Sequence, residues 1–244
     1  MRPKGMRRSL LQRQMGLSKT GSTGEHLSFD FDGLLVNTEE VHFAAYRKMC
    51  RQRGFDLKWS FDRYCQAAHY RAEDLKNQIY EEFPGLRTQE PDWHVLYEEK
   101  KAIMVELLAS GAIHMMPGAE GLLTALAKEN IQRVIVTHSP QELIQVIRKQ
   151  QPILDTIPNW ITRENYTHPK PNPECYHLAI KKFAKPGDRI VGFEDTPRGL
   201  AALMETDAQP VMISTIKYPE IPALLKKGVL LYPSLLDIRE SVSA

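Results

Sequence analysis

The 244-residue sequence predicts an α/β protein built on a doubly wound parallel sheet. Three observations carry this reading. Short β-branched or apolar runs alternate with amphipathic helical patterns in the second half of the chain. The length suits one large α/β domain, or a core with a smaller inserted domain. An apolar share of 42% and a charged share of 25% are ordinary for a globular protein.

The elements follow in order. His26 to Phe31 reads as a short buried strand that Gly33 breaks. Thr38 is a capping residue for a helix carrying Val41, Ala44, Ala45 and Met49 at helical spacing. Helical patterns then prevail to about Ser110, clearest from Trp93 to Leu108. Phe55, Leu57, Trp59 and Phe61 alternate like a strand, but a helix-entry loop fits equally well. Beyond Pro117-Gly118 the pattern changes. Ala119–Lys128 is an amphipathic helix, and Gln132–Thr137 a β-branched strand. Gln141–Lys149 is helical, Trp160–Thr162 a weak strand, and Pro173–Phe183 a helix. Strand Arg189–Phe193 leads into helix Gly199–Glu205, and Pro210–Ser214 is a strand; Val229–Leu231 is a further candidate.

Open parallel sheets gather ligands at the carboxyl ends of their strands. Asp30-Phe-Asp32 follows the first strand and Thr137-His-Ser139 the second. Lys170 stands before the helix at Pro173, and Glu194-Asp195 ends a later strand. One crevice would thus hold two pairs of acids, a hydroxyl and a lysine. Clustered carboxylates repel each other unless a cation neutralises them. Oxygen donors without His or Cys favour Mg²⁺ over zinc. A lysine and a hydroxyl suit phosphate oxygens. The set matches phosphoryl transfer, in which positioning and charge neutralisation do most of the work. One carboxylate can act as nucleophile, and a second, two residues on, as acid and base.

The stretch Asp30-Phe-Asp-Gly-Leu-Leu-Val-Asn-Thr-Glu-Glu-Val-His42 resembles the first motif of the haloacid dehalogenase-like superfamily. Val136-Thr-His-Ser139 resembles the second, Lys170-Pro-Asn-Pro-Glu-Cys-Tyr176 the third, and Gly192-Phe-Glu-Asp-Thr-Pro-Arg-Gly199 the fourth. Order and spacing agree from about His26 to Leu236, closest to the subfamily of phosphoglycolate phosphatase, pseudouridine-5′-phosphatase and β-phosphoglucomutase. The resemblance implies a Rossmann-like core over 26–39 and 111–244, with a helical cap over 40–110. It implies that Asp30 is the nucleophile and Asp32 the general acid/base. Asp30, the backbone carbonyl of Asp32, Glu194 and Asp195 would hold Mg²⁺. Thr137, the His138 backbone N–H and Lys170 would hold the phosphoryl group. Cap candidates for substrate contact are Glu40, His42, His69, Tyr70, Arg71 and Lys76; a structural role for His42 fits as well. Asn37 departs from the acid often found at its position in the first motif.

The expected activity is hydrolysis of a small phosphomonoester through an aspartyl phosphate. The alternatives are a sugar phosphomutase and a binding or regulatory protein without activity. A net charge of +2 gives no case for nucleic-acid or membrane partners. Cys50, Cys65 and Cys175, widely spaced and odd in number, fit unpaired thiols in a reducing, cytoplasmic setting. Residues 1–25 carry six bases against Glu25 alone. That basic tail fits an organelle transit peptide, a disordered extension, or a start site placed too far upstream.

Overall fold

The computed structural model describes residues 24–70 and 72–239. The expectations for the basic tail, except at its last residues, and for Arg71 lie outside the described residues. Six parallel strands form one sheet: β1 (Glu25–Phe29), β2 (Gln132–Val136), β3 (Asn159–Ile161), β4 (Arg189–Glu194), β5 (Gln209–Ile213) and β6 (Leu230–Tyr232). Their spatial order is β3-β2-β1-β4-β5-β6. The chain therefore winds outward from β1 to one edge, then returns to fill the other side. The reversal falls between β1 and β4, where open sheets of this kind form their ligand crevice.

Ten helices of the described residues accompany the strands. Five lie between β1 and β2: α1 (Thr38–Gln52), α2 (Phe61–Ala68), α3 (Ala72–Glu82), α4 (Pro84–Gln89) and α5 (Trp93–Ala109). They form the helical cap. α1 packs along α5, and α2 along α3. Leu57, Ile79, Leu86 and Leu96 are fully buried within it, so the cap has apolar packing of its own. The core helices are α6 (Ala119–Lys128), α7 (Gln141–Gln150), α8 (Glu174–Phe183), α9 (Pro197–Met204) and α10 (Ile221–Lys226). α8 packs over β1 to β3, and α9 over β4 and β5. The central strands present Leu27, Phe29, Val134, Ile135 and Phe193 to this core, each essentially unexposed.

The two chain passages between cap and core run side by side. Val36 forms a bridge with Met115, and Met116 N donates to Leu35 O at 2.8 Å. Asn37 ties them further: its Nδ2 donates to Ala112 O at 3.1 Å, and its Oδ1 accepts from His114 N at 2.7 Å. An aspartate could not make the first bond, which accounts locally for an amide at this position.

Of the two readings open for Phe55 to Phe61, the helix-entry loop is the one found: residues 55–60 are an irregular lead-in, Phe61 opens α2, and Ser60 caps it by accepting from Arg63 N at 3.2 Å. The segment's apolar residues alternate because Leu57 and Trp59 bury themselves in the cap from an extended loop. Thr38 does not cap α1. It is the first helical residue, and its hydroxyl is committed elsewhere. The first strand also stops at Phe29, leaving Asp30 and Phe31 in the turn beyond it.

Candidate active site

β1 places the first acids. Phe29 stacks on Phe193 of β4 with ring centroids 4.6 Å apart. Asp30 N donates to Phe193 O at 2.9 Å, which sets Asp30 level with Glu194 on the next strand. The chain then turns back at Gly33, whose φ is +79°. A Cβ at Gly33 would lie 2.3 Å from Asp195 Oδ2, so both the turn and the close approach require glycine.

The two aspartates enter different surroundings. Asp32 turns its carboxylate into a cradle of hydroxyls. Thr38 Oγ1 donates to Oδ1 at 2.8 Å, while Thr137 and Ser139 donate to Oδ2 at 2.7 and 2.8 Å. Asp30 faces Lys170, whose Nζ donates to Asp30 Oδ1 at 2.5 Å, Glu194 Oε1 at 2.7 Å and Val136 O at 2.9 Å. All three ammonium protons are thereby used. The Tyr176 hydroxyl also donates to Glu194 Oε1. Glu194 reaches this position over the first turn of α9, which Thr196 caps by accepting from Gly199 N at 3.1 Å. A Cβ at Gly199 would stand 2.1 Å from Glu194 Oε2, so glycine makes room for the carboxylate.

Asp30, Glu194 and Asp195 offer one oxygen each within 4.8 Å of one another. Asp195 Oδ1 is buried with no hydrogen-bond partner, an arrangement that leaves a polar oxygen unsatisfied. Burial, together with the charges of Asp30 and Glu194, pushes the Asp195 carboxyl far above its usual range. Burial likewise pushes Asp30 up to about 8, with Lys170 opposing and Glu194 and Asp32 adding to the rise. Burial raises Asp32 too, against its three hydroxyl donors. Lys170 is held well above its usual range: burial works against its charge, but Asp30 and Glu194 outweigh burial. Three crowded carboxylates against one ammonium leave negative charge uncompensated. The all-oxygen donor set and the unsatisfied Asp195 oxygen fit a hard divalent cation such as Mg²⁺.

The remaining expected residues scatter. His138 is exposed, with its ring Nδ1 2.9 Å from the Tyr166 hydroxyl. Partial desolvation of the ring beside Tyr166, with the nearby charges of Arg163, Arg198 and Lys170, keeps it less basic than usual. His42 does not stand free for a substrate: its Nδ1 meets the buried ammonium of Lys100 on α5. Burial and Lys100 lower His42 to about 4. Lys76 sits on α3 without a hydrogen bond or ion pair to any described residue. Glu40 lies exposed beside Asn37 and His114. His69 and Tyr70 bond to the core residues Tyr218 and Glu220.

Sequence reasoning passed over four residues that the structure draws in. Ser139 was visible in the second motif, and Tyr176 closed the third. Glu39 stood inside the first motif, while Lys100 had no local signal. Their roles depend on how α1 meets α2 and α5, where Glu39 accepts from Tyr64 and faces His69.

A cavity of about 270 Å³ opens beside Asp195, between cap residues such as Phe61 and Cys65 and the core segments after β5 and β6. Among the described residues, no helix is long and apolar enough to cross a membrane.

The sequence profile of haloacid dehalogenase-like hydrolases matches residues 25–205. The chain belongs to that family, and it is a hydrolase of the capped type that its sheet and helical insertion display. It is similar to the phosphorylated carbohydrates phosphatase of Thermotoga maritima, with 24% identity over 84% of this chain and 91% of that protein. It is also similar to the probable pseudouridine-5′-phosphatase of Drosophila melanogaster, with 27% identity over 77% and 80% of the two chains. Among solved structures, CbbY from Rhodobacter sphaeroides in complex with phosphate shares the fold, with a TM-score of 0.66, 21% identity and coverage of 88% and 96%.

Proposed function

We propose that the protein is a Mg²⁺-dependent phosphatase that hydrolyses a small phosphomonoester through an aspartyl phosphate on Asp30. One observation carries the reading: two carboxylates two residues apart occupy environments that divide the labour. Asp30 belongs to the acid cluster that a cation would neutralise, and Asp32 to a neutral hydroxyl cradle. Paired acids in contrasting surroundings suit one as nucleophile and the other as proton carrier.

Asp30, Glu194 and Asp195, with the backbone carbonyl of Asp32, would hold the cation. The ion would supply positive charge against the phosphoryl oxygens and keep the nucleophile ionised. Lys170 stands at Asp30 Oδ1 and would add its charge to the same oxygens. In the first step, an Asp30 carboxylate oxygen bonds to phosphorus and the ester P–O bond breaks. Asp32, protonated for this step, gives its proton to the leaving oxygen. In the second, Asp32 takes a proton from water as that water attacks phosphorus, and Asp30 is released. Burial raises the proton affinity of Asp32, the direction that a proton carrier needs. Thr137 and the His138 N–H would hold the remaining phosphoryl oxygens. His42, Arg71 and Lys76 would act from the cap, taken as residues 40–110, His42 through Lys100. The phosphatase names among the relatives support hydrolysis of phosphorylated small molecules.

The test is phosphate release from a panel of sugar phosphates, nucleotides and p-nitrophenyl phosphate, with and without Mg²⁺. Mg²⁺-dependent turnover is expected. Interconversion of sugar phosphate isomers without phosphate release would assign a mutase instead. Inertness toward the whole panel would leave a binding role.

A further inference from the structure

Among the described residues, cap and core are joined beside the chain passages at Val36–Asn37 and Ala112–Met116 described above, where Gln150 Nε2 also donates to Leu108 O at 2.8 Å, and at one place away from them. That second place joins the end of α2 to the segment after β5. There the ring Nδ1 of His69 lies 2.7 Å from the Tyr218 hydroxyl, and both side chains are buried. Tyr70 OH donates to Glu220 Oε2 at 2.7 Å, and Gln66 Nε2 donates to Lys217 O at 3.1 Å. Tyr70 and Tyr218 meet edge to face, with centroids 6.2 Å apart. On its other side His69 places Nε2 3.3 Å from Glu39 Oε2, without hydrogen-bond geometry. Glu39 stands in the first turn of α1, directly after the passage into the cap. Glu39, His69, Tyr218 and Asp195 of the acid cluster all line the same cavity.

We propose that this patch is the catch that holds the cap shut over the acid cluster, and that His69 is its positioning residue, joining Glu39 of the cap to Tyr218 of the core.

The geometry gives each part a reason. A helical insertion held only at one paired passage can swing about it. A second attachment is needed for the closed state to persist. Three polar bonds, two of them to the exposed residues Glu220 and Lys217, can break and reform without disturbing an apolar core. Tyr218 is the exception, since its ring is 3% exposed and its hydroxyl bonds His69. Opening would expose that hydroxyl and the face of His69 together, so these two groups govern the equilibrium more than Gln66 or Tyr70. The contact walls the cavity from the side of α2. Its release would open a path from solvent toward Asp195.

The experiment compares Tyr218→Phe, His69→Ala and His69→Gln with the wild-type protein. Tyr218→Phe removes one oxygen and keeps the ring, so folding is preserved. Amide hydrogen exchange of residues 61–69 and 214–220 is followed first. KM and kcat with p-nitrophenyl phosphate and Mg²⁺ are then measured. Exchange in both segments should rise about fivefold in Tyr218→Phe, the shift that one ordinary hydrogen bond produces in a two-state equilibrium. KM should rise by a similar factor, with kcat within about twofold. His69→Ala should show the same pattern more strongly, and His69→Gln should recover part of it. Unchanged exchange in both Tyr218→Phe and His69→Ala would overturn the proposal. So would a fall in kcat at constant KM. The kinetic arm rests on the phosphatase reading, but the exchange arm does not. An inactive wild-type protein would count against that reading alone.

Discussion

Replacing Asp30 by Asn should stabilise the metal-free protein at pH 8 while abolishing its chemistry. Burial and the neighbouring acids lift the Asp30 carboxyl from 3.8 to about 8 in the folded state. The unfolded chain keeps it near its ordinary value. Between those two values the folded state holds a proton that the unfolded state has lost. Stability therefore falls as pH rises through this window. It is fully present below about pH 4 and fully lost above about pH 8. At 1.36 kcal/mol per tenfold change in proton affinity, the window from 3.8 to about 8 corresponds to roughly 6 kcal/mol as an upper bound. An asparagine does not titrate, so the variant lacks this slope. Its amide oxygen can still accept from Lys170, which also keeps Glu194 and Val136 O. Urea unfolding in the presence of a chelator, at pH 5 and pH 8, measures the effect. The difference between the two proteins cancels contributions from other titrating groups. The variant should gain about 2–4 kcal/mol on the wild-type protein between the two pH values. Added Mg²⁺ at pH 8 should stabilise the wild-type protein and narrow the gap. Parallel pH profiles for the two proteins would refute the reasoning.

Three further outcomes follow from the same geometry. Lys170→Met leaves Asp30 and Glu194 buried without their ammonium, which should cost about 3–5 kcal/mol in metal-free unfolding experiments. Mg²⁺ should restore part of that loss without restoring turnover. Lys100 is 2% exposed, and burial lowers its ammonium to about 8 despite Glu39. Its charge thus opposes folding at neutral pH, and wild-type stability should rise from about pH 8 to 10.5. Lys100→Met should be more stable by up to about 3 kcal/mol at pH 7, a gap that closes across that window. Thermal unfolding at pH 7 and pH 10 checks this. A kinetic cost in the same variant would show that the His42–Lys100 pair serves the reaction.

The core was legible in the sequence because its signals are local. β2 and β4 are short β-branched or apolar runs, and each ends on the residues that carry chemistry. Gly33 and Gly199 sit where a Cβ would collide with the acids, so the motif spacing already encoded the close approach. The hydroxyl cradle was half-legible. Thr38 and the Thr137–Ser139 turn come from two distant segments that meet at Asp32 only after the sheet has formed. Thr38 therefore read as a helix cap, its commonest use, although the tertiary bond to Asp32 claims its hydroxyl. The cap was harder for the same reason. Helical periodicity gave its helices, but which faces meet depends on packing between elements distant in sequence. His42 could not be paired with Lys100, 58 residues on, from either local pattern. His69 and Tyr70 read as substrate contacts because the cap was expected over the crevice. The structure turns them instead onto Tyr218 and Glu220, in a segment without a motif of its own.

The central claim is that Asp30 itself carries the phosphoryl group during turnover. Rapid quench of wild-type protein with Mg²⁺ and a turned-over phosphomonoester, followed by borohydride reduction and peptide mass analysis, tests it directly. The account predicts a transient acyl phosphate, recovered as reduced homoserine at position 30 and absent from Asp30→Asn. Phosphate release with no reduced residue at position 30, or with the phosphoryl group on Ser139 or another side chain, would contradict it.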